Sequence, residues 1–142
     1  MRSSADMTNV SRPAPSVLVV DDSEPSRIYA ERALCEGGYG VTTASSGPEA
    51  LSIAQEKGPF DLFVLDVMMP GMRGDELAEC LREQDPDVKV VYFTGYSDVL
   101  FQGREMLSQN EAFVDKPVTL VGLLEAVSLM LFGHTRGAEA RH

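Results

Sequence analysis

The chain has 142 residues, 44% of them hydrophobic and 24% charged, with a formal net charge of −10. That length suits one domain with a real core and is too short for two, and the acidity argues against the basic face that direct nucleic-acid binding needs. Cys35 and Cys80 are isolated, without Cys-x-x-Cys or Cys/His spacing, so zinc and thiol-redox chemistry are disfavoured and a reduced, cytoplasmic compartment fits. The longest apolar stretch, Leu120 to Phe132, is broken by Gly122, Glu125 and Ser128 and is too polar to span a bilayer, and the N-terminus lacks an apolar signal core. The only histidines, His134 and His142, follow the last predicted helix, so no Ser-His-Asp or Cys-His arrangement can form and histidine-based catalysis is excluded.

Residues 1–15, with serines, Pro13 and Pro15, read as a flexible tail ahead of a domain spanning 16–132, and 133–142 read as a second tail. Five strand–helix alternations follow, the pattern of βαβ units and a parallel sheet. Val17 to Val20 form the first strand; Ser23-Glu24-Pro25 caps and starts a helix that Gly37-Gly38 ends. Val41 to Ala44 are short and half polar, as in an edge strand. Ser46-Gly47-Pro48-Glu49 is a capping box, starting a helix that turns Ala50, Leu51, Ile53 and Ala54 to the sheet. Leu62 to Leu65 are apolar on both faces, as a central strand must be. A third helix runs from about Gly74 to Arg82 and stops at Asp85-Pro86. After a fourth strand, Val90 to Phe93, a marginal helix follows Ser97-Asp98, interrupted by Gly103 and with a thin stripe of Val99, Met106 and Leu107. Ala112 to Val114 form the last strand, and Leu120, Leu123, Leu124, Val127 and Leu131 set the core stripe of the last helix.

Four of these strands end on residues suited to phosphate chemistry: Asp21 and Asp22, Asp66, Thr94, and Lys116 after Asp115. In an open parallel sheet those ends share one crevice, where such folds bind ligands. Carboxylates a few ångströms apart resist joint ionisation unless a cation neutralises them. Oxygen-only ligands of that kind suit Mg²⁺, and the backbone carbonyl of Met68 could complete the set. A carboxylate beside such a cation can also attack phosphorus to give an acyl phosphate, with Lys116 and Thr94 meeting the phosphoryl oxygens. Taken singly, an aspartate after a strand is as often a helix cap, and Lys116-Pro117 could be a surface turn; it is their joint placement that points to chemistry.

The ordered motifs VLVVDD, LFVLDVMMPGMRGDEL, VVYFTGY and AFVDKP, between Val17 and about Phe132, resemble the receiver domain of bacterial two-component response regulators. The resemblance, to a stand-alone chemotaxis-regulator-like receiver, implies an α/β, flavodoxin-like, doubly wound five-stranded parallel sheet, strand order 2-1-3-4-5, with five helices. It implies that Asp66 is the phosphoacceptor, that Asp22 binds Mg²⁺ (or Mn²⁺) directly and Asp21 partly through water, and that Asp66 and the Met68 carbonyl complete the site. Thr94 and Lys116 would contact the phosphoryl group, and the Lys116-Pro117 bond would be cis. Thr94 and Phe113 would form the switch: Thr94 moves to the phosphoryl group and the Phe113 ring turns inward. That would reshape the face of the helix after Ser97, the last strand and the last helix, where partners dock.

The implied partners are a histidine kinase or phosphotransfer protein as donor and a downstream target protein, with no direct nucleic acid and no membrane. Homodimerisation is left open, as is whether the chain is a stand-alone protein or a piece of a larger hybrid kinase. The protein would not be an enzyme beyond catalysing its own phosphorylation and slow dephosphorylation. Met68 and Tyr96, neither suited to orienting water, would make phospho-Asp66 long-lived, and Arg73 would bring positive charge near the Asp66 loop. Three alternatives compete. An aspartate-nucleophile phosphatase of the haloacid dehalogenase type would need a second acid where Met68 stands. An unphosphorylated receiver-like scaffold fits poorly with an intact acid–hydroxyl–lysine set. A flavodoxin-like cofactor protein is opposed by Asp21-Asp22-Ser23-Glu24, which would repel a flavin phosphate.

Overall fold

The computed structural model describes residues 14–95, 110–116 and 119–133. Within them lie β1 (Ser16–Val20), α1 (Glu24–Glu36), β2 (Gly40–Ala44), α2 (Gly47–Lys57) and β3 (Leu62–Leu65). Then come α3 (Gly74–Gln84), β4 (Val90–Thr94), β5 (Glu111–Asp115) and α4 (Leu120–Phe132). All strand pairings are parallel, in the order β2-β1-β3-β4-β5. The expected sheet is borne out, with four of the five expected helices. The helix after Ser97-Asp98, Tyr96, the Pro117 side of the Lys116-Pro117 bond and most of both tails lie outside the described residues.

Side-chain alternation along the strands splits the core into two layers. Leu18, Val20, Phe63, Leu65, Val90 and Tyr92 face Ala50 of α2 and Leu77, Ala78 and Leu81 of α3. Val17, Val19, Leu62, Val64, Val91 and Phe93 face Ala30, Ala33 and Leu34 of α1 and Leu123 and Val127 of α4. β3 is buried at every position, as its uninterrupted apolar run requires. Full burial of one such side chain contributes about 1.5–3 kcal/mol, more than the ~1 kcal/mol that a glycine such as Gly122 costs a helix interior. Packing therefore decides that α4 is helical.

The helix starts differ in detail from the expectation. Ser46 does cap α2, its hydroxyl accepting the Glu49 N–H at 3.2 Å, but the Glu49 carboxylate reaches back to the N–H of Ser45 (2.7 Å), not to that of Ser46. At α1 the Ser23 side chain makes no capping bond; the Asp21 carboxylate accepts the Ser23 N–H instead, at 2.9 Å. α3 continues past Arg82 to Gln84, and Asp85, extended ahead of Pro86, ends it.

Two glycines shape the connection from β3 to α3. Gly71 has φ +84°, a conformation that side-chain-bearing residues rarely adopt. Gly74 donates its N–H to the Val67 carbonyl at 2.9 Å, and a Cβ there would sit 2.1 Å from the Asp66 carbonyl oxygen. The first turn of α3 thus lies directly on the backbone of Asp66.

Sequence patterning gave no sign of a polar cluster inside the α2/α3 layer. Glu111, buried at the start of β5, accepts the Tyr92 hydroxyl at 2.7 Å and pairs with Arg82 of α3 at 3.1 Å.

The backbone contact at Gly74 generates a prediction. Gly74→Ala should destabilise the fold by about 2–4 kcal/mol, since the neighbour it strikes is main chain and cannot swing away. Chemical denaturation checks this; a loss below about 0.5 kcal/mol, within the range of ordinary surface changes, would count against the contact.

Candidate functional site

β1 and β3 are neighbours with Val20 opposite Leu65, so the next residues, Asp21 and Asp66, leave the sheet side by side. Their backbones extend the ladders: the Asp66 N–H donates to Val20 O at 2.9 Å and the Asp21 N–H to Ala44 O at 3.1 Å. Asp21 is 1% exposed and Asp66 6%, whereas Asp22 faces solvent. One ligand oxygen from each of the three lies within 4.8 Å of the others.

Lys116 enters from β5, two strands away from β3. To arrive it crosses β4, and its ammonium lies 5.0 Å from the centroid of the Phe93 ring. It ends 2.9 Å from Asp21 Oδ2 and 3.8 Å from Asp66 Oδ2. The face of the aromatic ring favours the cation. Thr94 closes β4 at the same edge, its backbone in register with Asp115; its side chain lies outside what the structure describes. Of the residues expected at this edge, Asp21, Asp22, Asp66 and Lys116 are brought together. Met68, 40% exposed, follows two residues after Asp66.

The electrostatics follow from this crowding. Burial, then the negative charge of Asp21, push the Asp66 carboxyl up to about 6; Lys116 pulls the other way, Asp22 adds to the rise, and the Met68 N–H, bonding the charged form, opposes it. Among the described residues, three acids share this small volume with a single ammonium and form an oxygen-only donor set short of positive charge. That is the chemistry a hard divalent cation suits.

Two arginines near the site carry corrections or additions. Arg73 was expected to lend positive charge to the Asp66 loop, but its guanidinium is held in a two-pronged pair by Asp75, with Nε at 2.9 Å from Oδ1, so the charge is neutralised locally. Burial raises the Asp75 carboxyl, but the hydrogen bond and charge of Arg73, with the N–H groups of Asp75 and Glu76, hold it below the usual carboxylate range. Arg27, which the sequence did not single out, donates Nη1 to the Asp21 carbonyl at 2.8 Å and braces the β1–α1 turn. Its spacing, one turn into the first helix after the paired acids, was the available signal.

These pKa relations fix a pH dependence. Asp66 binds its proton more tightly folded than unfolded, so its contribution to stability is fully present below about pH 4 and is lost as pH rises through about 6 in chelator-treated protein. Asp66→Asn should therefore be more stable than the native sequence at pH 7, by on the order of 1–2 kcal/mol, with the difference shrinking toward pH 4. Thermal melts of both proteins in chelator at several pH values test this; an asparagine variant no more stable at pH 7 would contradict it. Added Mg²⁺ should raise the melting temperature of the native protein and do much less for the variant.

A family model described as the response regulator receiver domain matches residues 17–128. The chain is 33% identical over 115 residues to the response regulator receiver protein CpdR of Brucella abortus, covering 81% of this chain and 95% of CpdR. It is 38% identical over 117 residues to the sensor kinase CckA of the same organism, covering 82% of this chain but 12% of CckA. Among solved structures, the response regulator protein TrrA of Thermotoga maritima, in complex with Mg²⁺-BeF, is 34% identical with a TM-score of 0.68, covering 82% of this chain and 99% of TrrA. With the family match running from β1 into α4, the chain belongs to the response regulator receiver domain family, the receiver of two-component signalling.

Proposed function

We propose that Asp66 is the phosphoacceptor of a receiver that takes its phosphoryl group from a histidine kinase or phosphotransfer protein. The observation that carries this reading is the meeting of Asp21, Asp22 and Asp66 within 4.8 Å with Lys116 against two of them. An Asp66 carboxylate oxygen attacks phosphorus, the P–N bond of the donor phosphohistidine breaks, and its electron pair returns to the imidazole nitrogen. No separate base is needed, because the nucleophile is already a carboxylate.

Asp21, Asp22, Asp66 and the Met68 carbonyl would hold Mg²⁺, or Mn²⁺ in its place. The chemistry such a cation supplies is neutralisation of charge on the phosphoryl oxygens. Lys116, 3.8 Å from Asp66, would shift its pairing from Asp21 to a phosphoryl oxygen. Thr94, at the end of β4, would meet another and, with Phe113, form the switch. The structure of TrrA in complex with Mg²⁺-BeF supports the same use of the fold in a relative.

The output is a change in a protein-binding face, read by a downstream protein. CpdR, nearly all of which this chain spans, shows that a receiver of this length can be a whole protein, and CckA that one can be a module of a kinase. Among the described residues no helix is long and apolar enough to cross a membrane.

Incubation with Mg²⁺ and acetyl phosphate should add one phosphoryl group (~80 Da) to the intact mass, dependent on the metal and absent in Asp66→Asn. No adduct, together with no thermal shift on adding beryllofluoride, would favour an unphosphorylated scaffold. With Met68 beside the site in place of a polar side chain, the adduct should persist for minutes or longer; decay within seconds would overturn that expectation.

A further inference from the structure

The buried cluster Arg82–Glu111–Tyr92 is used by none of the chemistry above. Tyr92 is fully buried, and its phenol is pushed well above its ordinary pKa by burial and by the bond to Glu111, so it stays a neutral hydrogen-bond donor. The Glu111 side chain is 1% exposed while that of Arg82 is 32% exposed, so the cluster runs from the core to the surface at the last turn of α3. Its place in the sheet is specific. Tyr92 is the cross-strand partner of Phe113, Glu111 precedes Phe113 by two residues on the same face of β5, and Phe113 packs against the layer that contains Tyr92. Phe113 has no hydroxyl; the directional bond in this strand pair belongs to its neighbour.

We propose that Arg82, Glu111 and Tyr92 are positioning residues that couple the state of Phe113 to the C-terminal end of α3, giving this receiver a second responsive surface there. The inference rests on the reading of Asp66 and Phe113 above. An inward turn of the Phe113 ring would bring it against its cross-strand partner Tyr92. A displacement of the Tyr92 phenol away from Glu111 would lengthen their 2.7 Å bond, and Glu111 is the carboxylate that holds Arg82 at 3.1 Å. The intact cluster therefore favours the unphosphorylated state. By linkage, loosening it from the Arg82 end favours the phosphorylated one.

The test uses the full chain with Mg²⁺ and beryllofluoride as the phosphoryl mimic. Beryllofluoride should change hydrogen exchange at the amides of residues 82–85 in the native protein. Tyr92→Phe and Arg82→Gln should each bind beryllofluoride about threefold or more tighter. The double variant should gain no more than the stronger single one, because both substitutions act through Glu111. A mere strut predicts otherwise: lowered melting temperatures with unchanged affinities and an unmoved α3, which would overturn the inference. If the native protein shows no beryllofluoride-induced thermal shift, matching Asp66→Asn, the reading of Asp66 fails and takes this inference with it.

Discussion

The chemistry proposed for this molecule depends on one electrostatic constraint: three carboxylates held together at the sheet's C-terminal edge, opposed, among the described residues, by one lysine. Parallel register creates it, since Val20 and Leu65 are paired and the residues after them must emerge together. Burial then makes it costly, because Asp21 and Asp66 are almost wholly withdrawn from water. Lys116 relieves the cost only in part; its single charge faces two acids, and the Asp66 pKa stays raised, to about 6. A site in that condition responds strongly to any added cation or to any change in charge on Asp66.

The surrounding structure keeps the acids from relaxing apart. Asp21 is tied on both sides, its carboxylate to Ser23 and Lys116 and its carbonyl to Arg27. Asp66 is clamped by the first turn of α3, where Gly74 lets two backbones approach closely. By contrast Asp22 and Met68 are open to solvent. The rigid members are those that must hold geometry, and the exposed ones are those an incoming group must reach.

The strands and their chemically loaded ends were legible in the sequence because each depends on a local signal, an apolar run followed by a polar residue. Their convergence was legible because parallel sheets place like ends together. What could not be read depends on partners distant along the chain. Ser23 looks like a cap, but Asp21, already oriented by the site, takes its N–H. Arg73 looks like a charge for the Asp66 loop, but Asp75 two residues on captures it. Glu111 stands just ahead of the apolar run Ala112 to Val114 and carries no local signal of burial. Only the pairing of β4 with β5, and the packing of α3 that brings Arg82 across to it, bury it beside Tyr92.

That cluster also makes the two faces of the sheet unequal. The α1/α4 layer is built chiefly of aliphatic contacts, which tolerate small sliding movements at little cost. The α2/α3 layer contains a carboxylate, a phenol and a guanidinium whose bonds have fixed lengths and directions. A buried ion pair of this kind adds little to stability compared with apolar packing of the same volume, yet breaking it on one side leaves a buried charge without compensation. Its effect is to make one arrangement of β4, β5 and α3 distinctly better than neighbouring ones. Directional bonds of that kind favour discrete arrangements over smooth deformation, and under the proposed phosphorylation of Asp66 that would let a charge made at the edge be felt beyond it.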